Sequence, residues 1–159
     1  MMLGNIDFMS EDPRQPDVLS LLAQADAYFH ELYPAESNHL IGADDLRAQD
    51  AVFLTARRDG ELLGSIAFRM LAPEHAEMKR MFVRIEARGF GLGRQLLRVL
   101  EDIARDRNVR RISLETGIKQ PAAIGLYRAA GYRDCPPFGD YKADPLSLFM
   151  TKRLEPNQA

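Results

Sequence analysis

The segment from Val83 to Arg94 concentrates more usable chemistry than any other part of this chain. It reads Val83-Arg84-Ile85-Glu86-Ala87-Arg88-Gly89-Phe90-Gly91-Leu92-Gly93-Arg94: an apolar strand end, a loop crowded with glycine, and the start of an amphipathic helix. That arrangement leaves backbone N–H groups unpaired at the positive end of a helix dipole, and such a place binds phosphate or pyrophosphate. Spacing argues against two familiar phosphate loops. A Walker loop ends in Gly-Lys-Ser/Thr, which is absent. A dinucleotide fingerprint counted from Gly89 and Gly91 needs Gly or Ala where Arg94 stands. The loop also follows a hairpin, whereas that fingerprint follows the first strand of a βαβ unit.

The elements that must position this loop are readable from periodicity and punctuation. Asn5 to Met9 is a short strand. A helix from Pro16 to about Tyr33 carries Val18, Leu21, Leu22, Ala25, Phe29 and Leu32 at helical spacing, and Pro34 ends it. A short helix over Ala43 to Gln49 has Asp44 and Asp45 in its first turn. Val52–Arg58 and Glu61–Leu71 are β-rich runs joined by Asp59-Gly60, which suits a tight hairpin turn. Gly64 marks a bulge. A third strand, Glu77–Val83, leads into the glycine loop. Leu92, Leu96, Val99, Leu100 and Ile103 then form one face of a helix ending near Arg107. Arg110–Thr116 is a strand. Pro121 opens a further helix, which Gly131 stops after Ala130. Tyr132–Cys135 and Leu146–Leu154 are the last strands. The order β-α-α-β-β-β-α-β-α-β-β predicts an α/β protein with a mixed sheet and helices on both faces. A single domain over residues 1–159 is expected, with 155–159 a frayed tail.

The composition excludes several other roles. The chain has 159 residues, 46% of them hydrophobic and 28% charged, with a formal net charge of −2. That is an ordinary globular balance and gives no reason to expect nucleic acid. The local cluster Arg105, Arg107, Arg110 and Arg111 suits a solvated helix end. The single cysteine, Cys135, excludes an internal disulfide and a cysteine zinc site. His30, His39 and His75 are too scattered for a metal cage, so no metal is expected. Met70, Met78 and Met81 read as core filler. No basic stretch leads into a long apolar run, and nothing approaches the length of a membrane span, so no membrane partner and a cytoplasmic location are expected.

The spacing Arg88-x-x-Gly91-x-Gly93 resembles the acetyl-coenzyme A signature of the GNAT superfamily of N-acetyltransferases, Gln/Arg-x-x-Gly-x-Gly/Ala. Three further segments are similar: the strand ending Met81-Phe82-Val83, the strand Ile112-Ser113-Leu114-Glu115-Thr116, and the helix segment Ala123-Ile124-Gly125-Leu126-Tyr127 followed by Gly131-Tyr132. Gln120 departs from the pattern, because many members have Asn there. The resemblance covers about Ala51 to Leu154. It implies a GNAT-like fold: a central, mostly antiparallel sheet in which one parallel strand pair splays apart. Acetyl-CoA is the implied co-substrate. Its pantetheine arm would pair like an added strand with backbone near Met81, Phe82 and Val83. Its pyrophosphate would lie on Arg88, Gly89, Phe90, Gly91, Leu92, Gly93 and Arg94, with Gln120 and Tyr127 also at the cofactor.

The resemblance also implies a reaction. A primary amine has a pKa near 10.4, so its neutral form costs about 4–5 kcal/mol to populate at neutral pH, and a base is useful. Glu77 is the first candidate, and the alternative is that it pairs with Lys79 and only decorates the sheet. It sits at the offset where histone-acetylating members carry their base, and strict alternation along the strand puts it on one face with Lys79, Met81 and Val83. Glu115 is the reserve. Tyr127 matches the tyrosine that protonates the leaving thiolate in many members, and a backbone N–H near Val83 would polarise the thioester carbonyl. Tyr33, Glu115, Phe138 and Tyr141 are the candidate substrate contacts, with Glu31 and Asp140 nearby. The expected acceptor is a small, amino-acid-like amine. A protein N-terminus or lysine, or a non-catalytic coenzyme-binding role, stays open, and a homodimer is implied by the family.

Overall fold

In the computed structural model residues 5–156 are described. Seven strands form one sheet: β1 (Asp7–Ser10), β2 (Val52–Arg58), β3 (Glu61–Ala72), β4 (His75–Val83), β5 (Arg111–Gly117), β6 (Arg133–Asp134) and β7 (Ser147–Arg153). Their order across the sheet is β1-β2-β3-β4-β5-β7-β6. All neighbours are antiparallel except β4 and β5. The helices are α1 (Pro16–Leu32), α2 (Ala43–Leu46), α3 (Leu92–Asp106) and α4 (Pro121–Ala129).

Each element follows from its residues. Pro at the first turn starts α1 and α4 without losing a needed N–H. In α3 the predicted stripe is buried: Leu92, Leu96, Leu97, Leu100 and Ala104 are almost inaccessible. They pack with Val52, Leu54, Ile66, Met78 and Met150 on one face of the sheet. On the other face Val18, Leu21, Leu22 and Ala25 of α1 cover Phe53, Leu62, Ala67 and Phe82. The sheet therefore lies between two apolar layers, as the mixed-sheet reading expected.

Several boundaries differ for local reasons. The short second helix closes at Leu46, where the Arg47 amide caps onto Asp44 and Asp45 carbonyls, and does not reach Gln49. Single turns of 3₁₀ helix at Ala35–Ser37 and Ile85–Ala87 were not foreseen. The β3–β4 connection is tighter than the expected four-residue turn, because Glu74 takes a positive φ of 66° and β4 begins at His75. Cys135 lies outside β6. Of the expected frayed tail, Glu155 and Pro156 have no regular structure, and 157–159 lie outside the described residues.

Two irregularities prepare the site. Parallel β4 and β5 pair only over His75–Glu77 with Arg111–Ser113, so beyond Glu77 and Ser113 the two strands part. Within β4 the register to β3 slips: Ser65 faces Phe82 but Ala67 faces Lys79. Two residues, Arg80 and Met81, thus stand opposite one, and Arg80 takes a φ of 56°.

Candidate active site

The β4 bulge overturns the simple alternation count. Glu77 and Lys79 do share a face, but the extra residue shifts the parity of the strand beyond it. Met81 packs with Met78 and Val83 in the α3 layer, while Phe82 joins the α1 layer. Arg80 is held on the α1 side by a 2.6 Å ion pair with Asp26 and a 2.8 Å bond to the Ile41 carbonyl. Glu77 therefore does not share a face with Met81 and Val83.

Three clefts adjoin one another along β4. The first, of about 480 Å³, is lined by Met81, Phe82, Val83, Arg88, Gly89, Gly91, Leu92, Gly93, Arg94 and Gln120, together with Tyr28, Lys119 and the start of α4. No main-chain amide from Gly89 to Arg94 donates a hydrogen bond within the described residues. Gly89 and Gly91 have φ of 88° and 81°, and Gly91 is the N-cap of α3. L-residues are strained there. A Cβ on Gly93 would come within 2.8 Å of Met81 Cε, so this glycine lets α3 approach β4 closely. Arg88 is fixed by its Nε bond to the Val83 carbonyl (2.8 Å) and lies over the Tyr28 and Phe82 rings, each 5.3 Å away. Phe90, of the expected loop residues, is exposed and does not line this cleft.

The second is a chamber of about 90 Å³ in the gap between β4 and β5. It shares Phe29, Met81 and Gln120 with the first cleft. Glu115 and Tyr127 meet here. Tyr127 is buried, and its hydroxyl makes no hydrogen bond among the described residues. Burial, followed by the Glu115 charge, pushes its pKa well up. Glu115 is also pushed up by burial, and the 2.7 Å hydrogen bond from Ser147 Oγ to Oε2 only partly offsets this. Its Oε1 accepts none among the described residues. Tyr33 lines the chamber and packs against Gly117, where any Cβ would collide with its ring. Its hydroxyl accepts the Lys119 amide at 3.0 Å and lies 3.5 Å from Gln120 Nε2.

The third cleft, of about 770 Å³, adjoins the chamber at His39, Leu40 and Lys79. Glu77 lies in its floor, 1% exposed, with both oxygens engaged. Oε1 takes Arg69 Nε at 3.1 Å, and Oε2 takes Lys79 Nζ at 3.2 Å and the Tyr141 hydroxyl. Lys79 also donates to the His39 carbonyl at 2.9 Å and to Tyr141 Oη at 2.5 Å. Burial lowers its pKa against the pull of Glu77. Tyr141 lines the cleft. Phe138 stands behind it against His75 and Phe149, outside all three linings. Glu31 lies in none of them, whereas Asp140 is on the rim of the third.

The sequence reading set Lys79 beside Glu77, where the structure pairs the two, but His39, Leu40, Arg69, Tyr28 and Lys119 were not read as lining a site. Arg69 carried no usable signal: counting back from the hairpin turn sets Met70 opposite Glu77, and a register shift between Met70 and Ala72 brings Arg69 there instead. Among the described residues no cluster of three His, Cys, Asp or Glu is placed to hold a metal.

The sheet is parted between two parallel strands, with unpaired amides at one mouth and a half-buried carboxylate and a buried phenol within. Residues 18–132 match the acetyltransferase (GNAT) family, and the chain belongs to it. It is 45% identical over 153 residues to the IAA acetyltransferase of Azospirillum brasilense, covering 96% of this chain and 100% of that one. It is 38% identical to the N-acetyltransferase YsnE of Bacillus subtilis, over 76% and 82% of the two chains. Among solved structures, an acyl-CoA N-acyltransferase of Klebsiella pneumoniae superposes with a TM-score of 0.81 at 34% identity, covering 94% of this chain and 98% of that one. PaiA N-acetyltransferase from Thermoplasma acidophilum, solved with coenzyme A, has a TM-score of 0.74 at 17% identity over 94% and 99%, a likeness of fold. The protein is an N-acetyltransferase of this family.

Proposed function

We propose that this acetyltransferase moves the acetyl group from acetyl-CoA onto a primary amine of a small, amino-acid-like molecule, by direct attack while both substrates are bound. The observation that carries this reading is the joined series of clefts, with Glu115 and Tyr127 at the narrow chamber between the two wider ones. The diphosphate lies on the free amides of Gly89 to Arg94, and the pantetheine arm lies along β4 at Met81, Phe82 and Val83. The thioester then reaches the chamber from one side and the amine from the other.

Glu115 is the base. It has a free oxygen in the chamber, and its raised pKa brings it nearer to working pH, where a general base is more effective. Glu77 would first have to shed Arg69, Lys79 or Tyr141 to accept a proton, so its work is to hold Lys79 and Tyr141 in place. Attack by the amine nitrogen on the acetyl carbonyl forms the C–N bond. Glu115 takes the proton released by the attacking nitrogen, collapse breaks the C–S bond, and the thiolate takes a proton from water. Tyr127 is too weak an acid to give its proton away completely, since thiols have pKa values near 8.5 and its own is raised. Its hydroxyl donates a hydrogen bond to the sulfur as charge develops. Half-buried Cys135 lines none of the clefts, which supports transfer without an acyl-enzyme.

The test is a thiol-release assay with acetyl-CoA across small amines, amino acids, aminoglycosides and peptides, with initial rates at varied concentrations of both substrates. Intersecting lines with a small amine are expected. Parallel lines would overturn direct transfer, and turnover only with peptides would overturn the acceptor class.

A further inference from the structure

The wide third cleft carries information about the far end of the acceptor, provided that the amine is acetylated in the chamber as proposed above. Leu40, Ile41, Leu71 and the Tyr141 ring supply its apolar surface. Its floor is a charge cluster on two adjacent strands, with Arg69 of β3 directly opposite Glu77 of β4 and Lys79 two residues on. Two cations face one carboxylate there, so the floor has one positive charge in excess. Both oxygens of Glu77 are engaged, and Lys79 directs its donors to Glu77, His39 and Tyr141. Arg69 alone of the three has capacity left. Only its Nε is engaged, both Nη atoms make no hydrogen bond among the described residues, and the side chain is 41% exposed in the cleft lining.

A guanidinium edge with two parallel N–H donors matches a carboxylate in both charge and shape. Glu77, bonded at Nε, aims that edge. The remaining charges offer no rival anchor. Asp144 is tied to Ser37 Oγ and the Leu146 amide. Glu36, Asp140 and Lys142 stand on the rim, where water and salt weaken them.

We propose that the acceptor is an amine that also bears a carboxylate, an apolar amino acid or close derivative, with the carboxylate gripped by the two Nη atoms of Arg69. Its apolar part lies on Leu40, Leu71 and Tyr141, and its amine passes Lys79 to reach Glu115.

The test uses matched sets: each apolar amino acid, its carboxamide and its decarboxylated amine. Thiol release is measured for the wild type, Arg69→Lys and Arg69→Met. The wild type is expected to favour the acid by about tenfold or more, through KM. Arg69→Met erases that preference by raising KM for the acid towards the KM of its carboxamide. Arg69→Lys retains a positive partner for Glu77, guards against a folding artefact, and falls between the two. Equal use of acid and carboxamide by the wild type, or a preference that survives in Arg69→Met, overturns the proposal. Calorimetry of the same sets on coenzyme A-loaded protein separates it from the reading it rests on. Selective binding of the acid without turnover overturns the acceptor class but upholds the Arg69 site. Turnover without carboxylate preference overturns the Arg69 site alone, and neither binding nor turnover overturns both.

Discussion

Tyr127 and Glu115 come from different elements, α4 and β5, and share one small chamber, where burial disfavours the charged form of each and the Glu115 charge further opposes ionisation of Tyr127. Replacing Tyr127 with Phe removes one hydrogen bond to the departing sulfur. It should lower kcat about tenfold, the worth of one hydrogen bond of about 1.4 kcal/mol, while calorimetry shows unchanged coenzyme A affinity. Glu115 makes a sharper prediction because its pKa is raised. In the wild type kcat/KM should fall with acid through a limb above the ordinary glutamate value, and Glu115→Gln should lose that limb with most of the activity. The stability consequence has the opposite sign from the usual carboxylate. A raised pKa means that the folded protein holds this proton more tightly than the unfolded chain. The stabilising contribution is therefore complete below the free-glutamate pKa and is lost as pH rises through the folded value. Glu115→Gln should melt above the wild type at pH 8, and the gap should close towards pH 4. A gap that persists at pH 4 would show that burial of the charge is not its cause.

At the scale of elements, the bulge in β4 and the glycine turn before α3 do the positioning. A positive φ costs a non-glycine residue about 1–2 kcal/mol, and in Arg80 the ion pair with Asp26 offsets it. Arg80→Ala should lower unfolding stability by about 2 kcal/mol in a urea titration, since the Ile41 carbonyl and a partly exposed Asp26 both lose a partner. It should also raise KM for acetyl-CoA as β4 relaxes. The turn is tested by Gly91→Glu. Any side chain is strained at a φ of 81°, and a carboxylate there repels phosphate at the helix N-terminus. Calorimetry should show coenzyme A binding lost. Normal binding would move the diphosphate away from this turn.

At the scale of the whole molecule, the first cleft is built from α1, β4, the glycine turn and α4, so a ligand in it ties both faces of the sheet together. Coenzyme A at a hundredfold over its Kd should add about 2.7 kcal/mol of stability, which for a chain of this size raises Tm by about 5–10 °C. Gly91→Glu should show no such rise. Equal shifts in the two proteins would mean that the coenzyme binds elsewhere.

The features readable from the sequence were local. Helical periodicity in Leu92–Ile103, the Asp59-Gly60 hairpin, Pro121 opening α4 and the glycines at the start of α3 each act through neighbours a few residues away, so the element order and the glycine turn were legible. The unpaired amides obey the same local rule, because a helix start always leaves them over. Tertiary structure alone decided which carboxylate is free. Glu77 and Glu115 look alike in the chain, and their difference is made by Arg69, Lys79, Tyr141 and Ser147, brought in from other strands and a loop. The face of β4 that carries Met81 was also settled in three dimensions. One extra residue in a strand reverses inside and outside for every later position, and that residue was placed by an ion pair to a helix more than fifty residues earlier.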